Sequence, residues 1–195
     1  MAAALVPTPR SSPESDDGSQ WYAQELGWHT AGTSPVRLLT GLRFDVLELP
    51  AAVGHAVLRR VGRTGPVALA GRRMRLLVAA GSADELPGLL DWLEWGGIAL
   101  ALAGIGTGGH ITAPVPPGRA GGSPGAAFWL RPPEPHQEVE LSLPALAGLG
   151  SRGGDTPDLV RLVDAAATEC HRARLAHART HLLAARPTGQ PLAFS

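Results

Sequence analysis

The chain has no lysine. All 17 of its basic residues are arginine, they face 17 aspartates and glutamates, and the formal net charge is zero. Without lysine there is no lysine nucleophile and no lysine Schiff base; mutational pressure in a GC-rich genome accounts for the absence most simply. A dedicated nucleic-acid binder usually shows a basic excess, because neutralising phosphate supplies most of its affinity. None exists here, so any such surface must be a local patch. One cysteine, Cys170, rules out an internal disulfide and a multi-cysteine zinc site and fits a reducing compartment. The longest apolar stretch, Ile98 to Ile105, is Gly-broken and too short to span a bilayer. Met1 to Val6 lacks the basic and hydrophobic regions of a signal peptide. These absences lead us to expect a cytoplasmic protein with no membrane partner.

What is present is turn chemistry and enough apolar residues for a core. Glycine (25) and proline (18) exceed a fifth of the 195 residues, while 44% are hydrophobic. That composition predicts one domain of ordinary size, rich in loops, with tails.

Residues 1–19 are polar and read as a disordered leader, and Trp21 to Trp28 as a short helix closed by Gly27. Apolar runs predict strands at Phe44–Leu49, Pro66–Leu69, Met74–Ala79, Ile98–Ala103, His110–Ala113 and Ala127–Leu130. Ala51 to Val61 carries Val53, Val57, Leu58 and Val61 at helical spacing and stops at Gly62. The pair flanking Ala70-Gly71-Arg72-Arg73 reads as a hairpin. Ser82-Ala83-Asp84-Glu85 is a capping-box sequence, opening a helix with Leu86, Leu89, Leu90 and Leu93 on its buried stripe and a stop at Gly96-Gly97. Pro114–Gly125 reads as a long irregular loop. Residues 136–155 read as a Pro/Gly-rich linker. Thr156-Pro157-Asp158 combines a hydroxyl cap, a first-turn proline and an acid. It predicts a helix over 156–184 whose apolar face is Leu159, Leu162, Val163, Ala166 and Cys170, and residues 185–195 read as a tail. The order of elements predicts an α+β domain over 20–135, a mixed β-sheet with helices on one face, plus the long C-terminal helix.

Four segments could carry chemistry. Asp45 and Glu48 lie near the end of one strand and could hold a divalent metal. They are three residues apart, however, and a regular strand aims such residues to opposite sides, so a shared metal needs a bulge. Gly104-Ile105-Gly106-Thr107-Gly108-Gly109-His110 could bring backbone N–H groups to a phosphate. No Gly-Lys-Ser/Thr follows it, which makes a flexible hairpin connection the simpler reading. Arg72, Arg73 and Arg75 could bind phosphate or an acidic partner through forked hydrogen bonds, or could be alternating exposed positions of a hairpin. His171, Arg172, Arg174, His177, Arg179 and His181 load the last helix with cationic residues. His177 and His181 have chelating spacing, and the same residues complement the helix dipole.

Read together, these segments resemble the N-terminal domain of bacterial bifunctional DNA primase-polymerases, in a degenerate, actinobacterial-type form. Gly41 to Pro50 resembles the strand that in the family ends in an Asp-x-Asp metal motif. Gly65-Pro66-Val67 through Arg75-Leu76-Leu77-Val78 sits where the family has a Ser-Gly-Gly-x-His strand pair. Thr107 to Pro114 resembles a Gly-Gly-x-x-x-Ala-Pro-Pro-Ser block, and Phe128 to Pro133 the Trp-containing strand after it. The departures fall on the chemistry: the paired carboxylates, the serine and histidine of the second motif and the serine after Ala113-Pro114 are all missing. The resemblance therefore implies a primase-polymerase-like fold that has lost catalysis. It would act as a nucleotide or nucleic-acid binding module, with Arg72, Arg73, Arg75 and His110 on the retained side. Residual nucleotidyl transfer on Asp45 and Glu48, with Mg or Mn as cofactor, is one alternative. Docking of a protein partner through the C-terminal helix is another.

Overall fold

The computed structural model describes residues 13–119, 125–146 and 158–184. Among them are four α-helices and eight short strands: α1 (Pro13–Glu25), β1 (Thr30–Ala31), β2 (Arg37–Leu39), β3 (Asp45–Pro50), α2 (Ala51–Val61), β4 (Val67–Ala70), β5 (Arg73–Val78), α3 (Ser82–Trp92), β6 (Ala103–Ile105), β7 (His110–Thr112), β8 (Phe128–Arg131) and α4 (Leu159–Ala184), with a 3-10 helix at Val139–Ser142. The expected α+β class is observed.

The main sheet has the order β6-β3-β5-β4-β8, and every ladder in it is antiparallel. The expected mixed sheet is thus corrected. Strands β3 and β4, joined through α2, run parallel to each other, but β5 inserts between them. Likewise β5 and β6, joined through α3, are separated by β3. Two interleaved split β-α-β units result, the β-α-β-β-α-β plan of ferredoxin-like sheets, with β8 added at the edge. A smaller antiparallel sheet, β1-β2-β7, stands beside it. The sequence reading missed β1 and β2, and placed the strand before the glycine turn at 98–103 rather than Ala103–Ile105.

Strand alternation explains the two cores. Leu47, Leu49, Met74, Leu76 and Val78 face one side and pack with Val53 and Val57 of α2, Leu86 of α3 and Leu159, Leu162, Val163 and Ala166 of α4. Val46 and Leu77 face the other side, where Tyr22, Leu26, Trp28, Leu38, Phe44 and Ile111 meet them. Helices therefore do not all lie on one face: α1 and the small sheet cover part of the second. The Tyr22 hydroxyl donates to the Pro114 carbonyl (2.7 Å) and accepts from Trp129 Nε1 (2.9 Å). Burial pushes its pKa above the ordinary phenol value despite the Trp129 hydrogen bond.

Three boundaries need correction. Helix α1 is described from Pro13, inside the segment expected to be disordered, and residues 1–12 lie outside the described residues. The expected linker contains the 3-10 helix, and its Val139 and Leu143 are buried in the second core. The capping box does not form. Gly81 is the N-cap at φ 89°, and no side chain caps the helix from there. At the start of α4, Asp158 Oδ1 accepts from the Val160 N–H at 2.8 Å; Thr156, Pro157 and the tail 185–195 lie outside the described residues.

Candidate functional site

Strand β3 is regular through Asp45–Pro50 and pairs residue for residue with β5. No bulge turns Asp45 and Glu48 to one side. Asp45 is 1% exposed and points toward the helical layer, where its Oδ2 accepts the Ala83 N–H at 2.9 Å. It thereby takes up one of the unpaired donors at the start of α3, a role that sequence reading gave to Ser82. Its Oδ1 is buried without a hydrogen-bond partner. Glu48 lies on the opposite face of the sheet. The two carboxylates do not fit a single metal ion, and among the described residues no group of three or more His, Cys, Asp or Glu is placed to hold one.

Glu48 instead joins the arginines. Cross-strand register sets it opposite Arg75, the pairing that opposite charges favour on a sheet. Its Oε2 accepts from Arg75 Nε at 2.8 Å and its Oε1 from Arg73 Nε at 3.0 Å. Arg73 Nη2 also reaches the Glu48 carbonyl at 3.4 Å. One carboxylate thus holds two guanidiniums through their Nε atoms, and the Glu48 carbonyl holds one terminal nitrogen of Arg73 as well. Arg75 Nη1 is buried and makes no hydrogen bond. The cross-strand neighbours on this face are small: Ala68 opposite Arg75, Ala70 opposite Arg73 and Ala103 opposite Glu48.

Burial pushes the Glu48 carboxyl up, but the hydrogen bonds and charges of Arg75 and Arg73 outweigh it and hold the carboxyl below its ordinary value. A carboxylate depressed in the folded state contributes stability that is complete above its unfolded pKa, about 4.3, and is lost as pH falls through the lower folded value. Acid unfolding followed by circular dichroism is expected to show this loss below about pH 4.3. In Glu48→Gln that share of the pH dependence should vanish.

The other candidates do not converge on this cluster. Arg72 sits exposed in the β4–β5 turn. His110 belongs to the small sheet and is exposed; its neighbour Ile111 is buried against the core, so His110 faces outward. The glycine-rich segment is not a hairpin. It carries the chain from β6 in one sheet to β7 in the other, closed by a Gly109 N–H to Gly106 carbonyl bond of 2.9 Å. Gly104, Gly106 and Gly109 answer to close packing, a methyl on Gly106 standing 2.8 Å from the Ala83 Cβ, whereas Gly108 has open space and a φ of 76°. Cys170 is buried, and burial pushes its thiol up against the opposing charge of Arg73. It behaves as a core residue. His177 is exposed on α4, and the His181 side chain lies outside the described residues.

Sequence reading also missed an open groove of about 930 Å³ between the Gly62–Pro66 turn and the Gln137–Ser142 segment. Arg131 crosses into it to donate to the Thr64 hydroxyl (2.8 Å) and carbonyl (3.0 Å). No local motif announces it, because its walls lie far apart in the chain.

Comparison with known proteins identifies no relative: no family model, curated protein or solved structure matches the chain.

Proposed function

We propose that the chain is a binding module for a phosphate-bearing ligand, a nucleotide or single-stranded nucleic acid, built on a primase-polymerase-like fold without the catalytic carboxylates. The observation that carries this reading is the Arg73–Glu48–Arg75 cluster. A carboxylate that engages both arginines at Nε holds them in place as one cationic pair. A buried cationic donor without a partner, as at Arg75 Nη1, costs more than the bond it would form with a ligand. An anion supplies that partner. The cluster lies on the sheet face opposite α2, α3 and α4, the face on which four-stranded sheets of this plan take single-stranded RNA. That last support is fold analogy and argues for the class of ligand only.

Retained nucleotidyl transfer would need Asp45 and Glu48 to share a metal, and their opposite orientation gives that alternative no support.

The test is titration of a labelled single-stranded oligonucleotide and a labelled nucleoside triphosphate, with and without manganese, at two salt concentrations. Metal-independent binding is expected. Its oligonucleotide affinity should fall with salt at a logarithmic slope of about −1.5 to −2, the value for two or three arginine–phosphate contacts. Arg73→Glu should weaken binding at least tenfold with an unchanged circular dichroism spectrum. Arg75→Lys, which keeps the charge and loses the fork, should weaken it less. Unchanged affinity in Arg73→Glu would sink the reading, and binding that requires manganese would reopen the enzymatic one.

A further inference from the structure

Helix α4 overshoots the body of the protein. Its first half is buried through Leu159, Leu162, Val163, Ala166 and Cys170, whereas every residue from 172 to 180 is exposed. The stripe that carries the core residues continues through Ala173, Arg174 and His177, which stay exposed, and Arg174 reaches back to donate to the Ala99 carbonyl at 3.1 Å. A helical overhang of this length has little intrinsic stability in water, since helices in proteins draw most of theirs from packing on a face.

Charge is segregated onto the same overhang. Past Glu169 the described part of α4 carries Arg172, Arg174 and Arg179, and no acidic residue follows in the sequence, in a chain whose charges balance overall. Glu169 itself is already engaged by Arg60 at 3.1 Å and Arg172 at 2.8 Å. At 100° per residue, Leu175 stands on the side of α4 turned away from the body. Arg172 and Arg179 lie on one flank of it, and Ala178 and then Arg174 on the other. Leu175 is 48% exposed. An apolar strip edged by cations is the complement of an amphipathic helix edged by anions.

We infer that the overhanging half of α4 docks a helix of another protein that presents an apolar stripe flanked by carboxylates. The α4 helix of a second copy does not fit, because α4 against α4 in either direction opposes arginine to arginine. A phosphate backbone would use the arginines but gains nothing from Leu175, whereas an acidic amphipathic helix uses both. This surface lies on the helical side of the sheet, away from the Arg73–Glu48–Arg75 face, and does not depend on that site.

The experiment uses the full chain and a synthetic peptide about three heptads long with leucine at a and d and glutamate at e and g, whose own charges keep it from self-pairing. Binding is followed by fluorescence anisotropy. Leu175→Glu and the pair Arg172→Glu/Arg179→Glu are each expected to weaken binding at least tenfold with the circular dichroism of the body unchanged. A peptide carrying lysine in place of glutamate should bind the double variant better than it binds the native chain. Absence of peptide binding to the native chain would overturn the proposal. So would equal affinity in Leu175→Glu, or tight binding of duplex DNA that is lost in the double arginine variant and kept in Leu175→Glu.

Discussion

Gly41→Ala is expected to destabilise the protein by roughly 3 kcal/mol, the sum of about 1–2 for a left-handed backbone and 1–3 for overpacking. Gly41 has φ 86°, where a Cβ is strained whatever the space around it. The space is also absent. A methyl there would fall on the Thr107 Cα, 2.7 Å from its backbone nitrogen and 2.8 Å from its hydroxyl oxygen. The obstacle is backbone, and it cannot yield easily. Thr40 Oγ1 donates to the Gly106 carbonyl at 2.6 Å, and the Thr40 N–H donates to the Gly109 carbonyl at 3.1 Å. These bonds bind the crossing between the two sheets to the segment that carries Gly41. Gly71→Ala is the control: Gly71 has φ 56° but nothing within 4 Å of an added methyl. It should cost only the backbone share, about 1 kcal/mol. Urea unfolding of both variants separates strain from collision. Equal costs would mean that Thr107 moves aside freely.

The elements legible in the sequence were those whose signals are local. Helix α2 was read at its observed bounds because four apolar residues at helical spacing end at Gly62, whose φ is 75°. The β4–β5 hairpin was read from two apolar runs around Gly71, and the buried face of α4 from Leu159 to Cys170 as observed. The failures were non-local. Strands β1 and β2 are two and three residues long, too short for alternation to show. The segment at 136–155 was read as linker because proline and glycine dominate it, yet Val139 and Leu143 fill the second core. At the candidate site the arginine cluster was visible as a run. Glu48 was assigned to Asp45, its neighbour in sequence, because the register that sets it against Arg75 becomes known only once β3 and β5 are paired. Alternation along β3 sets Asp45 and Glu48 on opposite faces, and the strand is regular, with no bulge to bring them together.

Asp45 carries the second large effect. Asp45→Ala is expected to cost roughly 3 kcal/mol, combining an unpaired buried donor at about 1–3 kcal/mol with the loss of a carboxylate at a helix start, about 1. The Ala83 N–H it serves lies 38 positions away in sequence, and no local side chain can replace it, because Gly81 occupies the cap and offers none. Asp45→Asn keeps an oxygen for that N–H and loses the charge, so its cost should be about 1 kcal/mol, the contribution of an anion to a helix start. The ordering Ala well above Asn distinguishes a structural acceptor from a metal ligand. A ligand would lose its metal in either variant, whereas a hydrogen-bond acceptor is largely replaced by the amide oxygen. Thermal unfolding with and without millimolar manganese completes the test. On the structural reading the metal leaves the melting temperature unchanged in all three proteins. A manganese-dependent rise present in the native chain and absent in Asp45→Asn would instead place a cation beside Oδ1, the oxygen that no protein group satisfies.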